Sequence, residues 1–114
     1  MIGSAAADED PDGANGADVE LLAAVAAGDV TAFELLYGRF TLHAHRVARS
    51  ICRDHGRAEE AVQEAFMAVW NLGHLYDPAR GPVTAWLLAI VRHKALDAAR
   101  RNDRHARRRA DDGG

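Results

Sequence analysis

A single cysteine, Cys52, stands in a chain of 114 residues. It cannot close an intramolecular disulfide, so the fold must hold without crosslinks, as suits a reducing compartment. Prolines are also scarce: there are three, and none lies between Pro11 and Pro78. With 24 alanines, so long a segment without a breaker is hard to build as sheet and easy to build as helix. Strict apolar and polar alternation nowhere persists long enough to mark a strand. The longest apolar runs, Leu21–Ala27 and Ala85–Val91, have seven residues each, far short of the roughly 20 that cross a bilayer. The N-terminus has neither the basic flank nor the apolar stretch of a secretory signal. These absences predict a cytoplasmic, all-α protein that makes no membrane contact.

Acids exceed bases by 17 to 14, a formal net charge of −3, and the charges are unevenly placed. Residues 1–18 carry five acids and no base, whereas residues 99–114 carry six arginines against three aspartates. Residues 1–17 mix Gly, Ala, Asp and Pro without periodicity, and residues 105–114 offer no apolar face to dock. The expected organisation is a compact bundle of about four helices over 18–104, between disordered acidic N-terminal and basic C-terminal tails.

The first helix is predicted from Val19 to Ala27, with Asp18 as N-cap and Gly28 as stop. The second starts near Val30 behind Asp29 and continues to about Arg53. Its apolar positions Phe33, Leu36, Tyr37, Phe40, Ala44, Val47, Ala48 and Ile51 follow one helical stripe. After a turn at Asp54-His55-Gly56, the third helix runs from Arg57 to Leu72, stopped by Gly73. Its apolar stripe is Ala58, Ala61, Val62, Ala65, Phe66, Val69 and Trp70. Glu60, Gln63, Glu64, Met67 and Asn71 line the other side. A loop over 73–81 leads to a fourth helix with Pro82 at its first position. That helix has a stripe of Trp86, Leu87, Ile90 and Val91, which runs on into Lys94, Asp97 and Arg101. Phe33, Phe40, Phe66, Trp70 and Trp86 are expected to meet in one cluster.

Catalysis is not where these residues point. His43 and His45 lie two apart on different helix faces, and neither has a cysteine or carboxylate at a metal-ligand spacing. Glycine-rich phosphate loops and nucleophile elbows are missing too. No metal, cofactor or enzymatic activity is expected. The positive feature is the run from Arg92 to Arg109, with eight bases in eighteen residues. Such a run is commonly a solvated face. Directly upstream, however, lies the aromatic loop His74-Leu75-Tyr76-Asp77. Arginines for phosphates beside an aromatic for unpaired bases are the makings of a single-strand-binding surface. The plainer role for Tyr76 is to plug the loop onto the core.

Three ordered blocks carry a family resemblance. Gly28-Asp29-Val30-Thr31-Ala32-Phe33-Glu34-Leu35-Leu36-Tyr37 resembles the opening of bacterial RNA polymerase sigma factors of the extracytoplasmic-function group. Ala58-Glu59-Glu60-Ala61-Val62-Gln63-Glu64-Ala65-Phe66 is similar to that group's polymerase-binding helix, continued by Val69-Trp70. Tyr76-Asp77-Pro78-Ala79-Arg80-Gly81, followed by Trp86-Leu87-Leu88-Ala89-Ile90 and Ala95-Leu96-Asp97, resembles its promoter-melting loop and recognition helix. The match spans roughly residues 18–101.

The resemblance implies two partners for this all-helical, region 2-like domain. Glu60, Gln63, Glu64 and Met67 fall on the segment that binds the clamp helices of the largest subunit of core RNA polymerase. Leu72, Tyr76, Ile90 and His93 fall where the family captures a flipped-out base of the non-template strand at the −10 element. Arg80, Lys94, Asp97, Arg100, Arg101 and Arg104 extend that DNA-facing surface. An anti-sigma factor covering the same surfaces is implied as well. The sequence departs from the pattern at His93, where many relatives have asparagine. It also has no second, helix-turn-helix domain, as expected of either a domain cut from a longer protein or a naturally short form. The competing reading is a small helical adaptor, or an anti-sigma-binding module, without direct DNA contact.

Overall fold

In the computed structural model, which describes residues 6–113 (side chains over 14–110), four helices make up the fold and no strand occurs among the described residues. They are α1 (Ala6–Ala26), α2 (Val30–Ile51), α3 (His55–Leu72) and α4 (Val83–Gly113). Two single 3₁₀ turns, Gly73–Leu75 and Pro78–Arg80, join α3 to α4. No described helix is long and apolar enough to cross a membrane.

The helix starts follow capping chemistry. Asp29 accepts a hydrogen bond from the Ala32 N–H at 3.1 Å, which opens α2. Gly28 turns the chain just before it in the left-handed region (φ +95°) that an L side chain resists. Asp54, expected in a turn, instead caps α3 by accepting from the Gly56 N–H at 2.8 Å. α3 therefore starts at His55 rather than Arg57, and α2 ends at Ile51 rather than Arg53.

The largest departure is at the N-terminus. Helix is present from Ala6 and not from Val19, so Ala14–Ala17 belong to α1 rather than to a tail. Asp18 caps nothing: it lies inside the helix with its side chain 4% exposed, 2.6 Å from Arg39 Nε. Arg39 also donates to the Ala14 carbonyl at 3.4 Å. The tie that fixes this segment is therefore tertiary, to α2. A further tie reaches α4, where the Val83 N–H donates to Asn15 Oδ1 at 2.9 Å. At the other end, residues 105–110 continue α4 as an exposed helix, because nothing from Val83 to Asp112 breaks it.

Leu22 and Val25 of α1 join Leu36 and Phe40 of α2, Val62, Phe66 and Val69 of α3, and Val83, Leu87 and Val91 of α4 in one core. Eight of its buried members are alanines, which allow the helix backbones to approach closely. The stripe of α4 runs Val83, Leu87, Val91, Ala95 and Ala98. It does not turn into Lys94 and Asp97 as the sequence reading had it, because alanines carry it further. The aromatics divide in two. Phe33 stands edge-on to Phe66 (6.4 Å) and to Trp70 (5.3 Å), and Tyr37 lies 4.7 Å from Phe66. Trp86 instead meets Tyr76 of the connecting loop at 5.7 Å. Phe40 is buried but does not appear in these ring pairs.

Cys52 is buried as well, its thiol donating to the Ala95 carbonyl at 3.2 Å. Burial, with Asp54 close by, pushes that thiol above its ordinary pKa. It is a core side chain and a poor nucleophile.

Candidate nucleic-acid interface

The loop between α3 and α4 is built to hold one aromatic ring still. Asp77 Oδ1 accepts from the Ala79 N–H at 3.0 Å, closing the second 3₁₀ turn. Gly81 then turns with φ +136°, and its carbonyl accepts from the Tyr76 hydroxyl at 2.7 Å. With its hydroxyl engaged and its edge against Trp86, Tyr76 is half-buried and fixed. Between Leu75, Tyr76, Arg80, Pro82, Ala85 and Trp86 opens a cleft of about 230 Å³. Arg80 is exposed at it. Tyr76 does dock the loop onto the core, and that docking is also what shapes the cleft.

The remaining candidates are distributed more widely than the sequence suggests. Leu72 and Lys94 share a second, open hollow with Glu64, Met67, Ala68 and Asn71. Ile90 packs against the core. His93 is exposed and lines neither hollow. It lies seven residues beyond Trp86, two helical turns or about 10 Å along α4. So Leu72, Tyr76, Ile90 and His93 do not form a single pocket. Trp86, placed by its stripe in the aromatic core, is the residue that completes the cleft. A tryptophan one turn after a proline at a helix start was the available signal.

On α3, Glu60, Gln63 and Met67 are exposed and Glu64 is half-buried, so the polar face exists as a surface. Met67 is 62% exposed, much as Leu42 and Leu75 are elsewhere on the surface. Glu60 is held by Arg57 one turn back at 3.5 Å. Glu64 lies 3.7 Å from Arg101, so the polar face of α3 and the basic end of α4 are neighbours. Arg100 pairs with Asp97 at 3.3 Å. Arg104 is exposed and makes no ion pair among the described residues. No cluster of three metal-ligating side chains occurs among the described residues.

Comparison with known proteins gives the following matches. The family described as Sigma-70 region 2 matches residues 36–105. An ECF RNA polymerase sigma factor SigK of Mycobacterium sp. (strain KMS) is 35% identical over 88 residues, covering 77% of this chain and 46% of the relative. The SigK of Mycobacterium tuberculosis (strain ATCC 25177 / H37Ra) is 34% identical over 80 residues, covering 70% of this chain and 43% of the relative. For Mycobacterium ulcerans (strain Agy99) the figures are 32%, 80 residues, 70% and 43%. The chain spans less than half the length of these relatives.

Proposed function

We propose a function from one premise: the chain belongs to the sigma-70 region 2 family, in its ECF branch. It serves transcription initiation as a binding module, docking on core RNA polymerase through α3 and capturing the melted −10 element through the loop and α4. The observation that carries this reading is the Tyr76–Trp86 cleft beside Arg80, at the start of the helix that bears the arginines.

The chemistry suits an unpaired strand. Extruding a base costs a few kcal/mol of stacking, and stacking on an aromatic returns about 1–3 kcal/mol per base. Tyr76 and Trp86 are already positioned, so little side-chain entropy is lost when a base arrives. Arg80 supplies charge for the adjacent phosphate. Lys94, Arg100, Arg101 and Arg104 lie further along α4 to follow the backbone. His93, two turns from the cleft, meets a neighbouring nucleotide rather than the stacked base. Its imidazole can present only one ring nitrogen to a given base edge.

Glu60, Gln63, Glu64 and Met67 dock on the clamp helices of the largest subunit. Carboxylates and an amide give direction to the contact, and a methionine adapts to an uneven partner. Replacing Gln63 and Glu64 together by alanine is expected to weaken association with core polymerase roughly tenfold or more, the effect of about 1.4 kcal/mol. Helical content should not change, since the half-exposed Glu64–Arg101 pair, 3.7 Å apart, contributes at most about 1 kcal/mol. Unaltered affinity, measured by titration of labelled protein with core enzyme, would remove α3 from the interface and favour a helical adaptor using another face.

A further inference from the structure

The first turn of α4 carries one wall of the cleft, yet its own sequence cannot cap it. The residue before Val83 is Pro82, which has no side-chain acceptor. Its carbonyl is already taken by the Trp86 N–H at 3.2 Å. Val83 is fully buried, so its N–H cannot turn to water and needs a protein partner. That partner is Asn15 Oδ1, 68 positions away in the chain. Three residues on, one helical turn along α1, Asp18 is locked to Arg39 of α2. Asn15 is thus held by an anchored helix and in turn holds the N-terminus of α4.

We propose that Asn15 is a positioning residue for base capture. By capping α4 from α1, it sets where Trp86 stands relative to Tyr76, and so the width of the cleft that receives the base. Leu22 and Ala23 of α1 also line the hollow on the far side of Tyr76, so α1 backs the loop while Asn15 fixes the helix. The inference rests on the reading of the cleft given above. It adds a residue outside both surfaces assigned there, one that touches neither base nor polymerase.

The test uses the full 114-residue chain bound to core polymerase and single-stranded −10 oligonucleotides varied one base at a time. Asn15→Ala should raise hydrogen exchange at the Val83 amide at least tenfold and shrink the affinity ratio between best and worst base at least threefold. Polymerase binding should not change. Asn15→Asp keeps the acceptor and should keep the parent's ranking of bases, its added charge weakening all oligonucleotides alike. If Asn15→Ala does not fold, Asn15→Gln, which moves the acceptor by one methylene, takes its place with the same expectation. Faster exchange at Val83 with an unchanged ranking would make the cap structural only and overturn the inference. A parent chain that ranks no base above another would instead overturn the reading of the cleft, and the inference with it.

Discussion

Phe66→Ala is expected to cost about 3–5 kcal/mol, a large share of the roughly 5–15 kcal/mol that holds a domain of this size together. The ring is 3% exposed and touches Phe33 edge-on and Tyr37 at an angle, so two aromatic contacts go with it. The upper part of the range is favoured because the surrounding core is rich in alanine. Short side chains on helices already close together have no reach into the space left behind. Thermal unfolding followed by far-ultraviolet circular dichroism should show a midpoint lower by at least about 12 °C. A midpoint within two degrees of the parent would mean that α3 does not pack through Phe66.

Removing Arg100, Arg101 and Arg104 together, each to alanine, should weaken oligonucleotide binding by a similar factor for every sequence. Phosphate contacts carry no base information. They do carry salt dependence: on a single strand, each lost contact flattens the plot of log affinity against log salt by about 0.7. The three positions are not equal. Arg104 makes no ion pair among the described residues, and its single replacement should show nearly the whole increment. Arg100 and Arg101 must share or leave Asp97 and Glu64 to reach a phosphate, and each should show less. Alanine keeps α4 helical, so the measurement reads charge. An unchanged slope in the triple variant would leave the basic arm as a solvated face.

Much of this fold is legible in the residue pattern, and the parts that are not share a cause. The cap at Asp29, the turn at Gly28 and the buried line of Leu36, Phe40, Ala44 and Ala48 in α2 are local features and stand where the pattern puts them, although Ala32 is buried in addition and Tyr37 is exposed. The beginning of α1 is not local. Residues 14–17 lack periodicity and look like tail, and Asp18 looks like an N-cap. What fixes them is Arg39 on α2 and the Val83 amide on α4, and no window along the chain contains both ends of either tie. The course of α4 is hidden in the sequence for another reason. Alanine is equally at home in a core and on a surface, so Ala95 and Ala98 gave no sign that the buried stripe went through them. The cleft was half visible: Tyr76 and Arg80 stand out in the loop, while Trp86 looked like one more core aromatic until the ring pair with Tyr76 was in view.

The contact between Asn15 and Val83 also bears on the order in which the molecule assembles. α2, α3 and α4 pack against neighbours in sequence, so their docking closes short loops and can proceed early. The Asn15 bond closes a loop of 68 positions, which carries a larger entropic cost and is repaid only once the other helices are in place. The Asn15–Val83 bond is therefore expected to form after the helix pairs have docked. Amides at Val83 to Trp86 should exchange through openings that leave α2 and α3 protected. Loss of that one bond would loosen the start of α4 while the rest of the core stays closed.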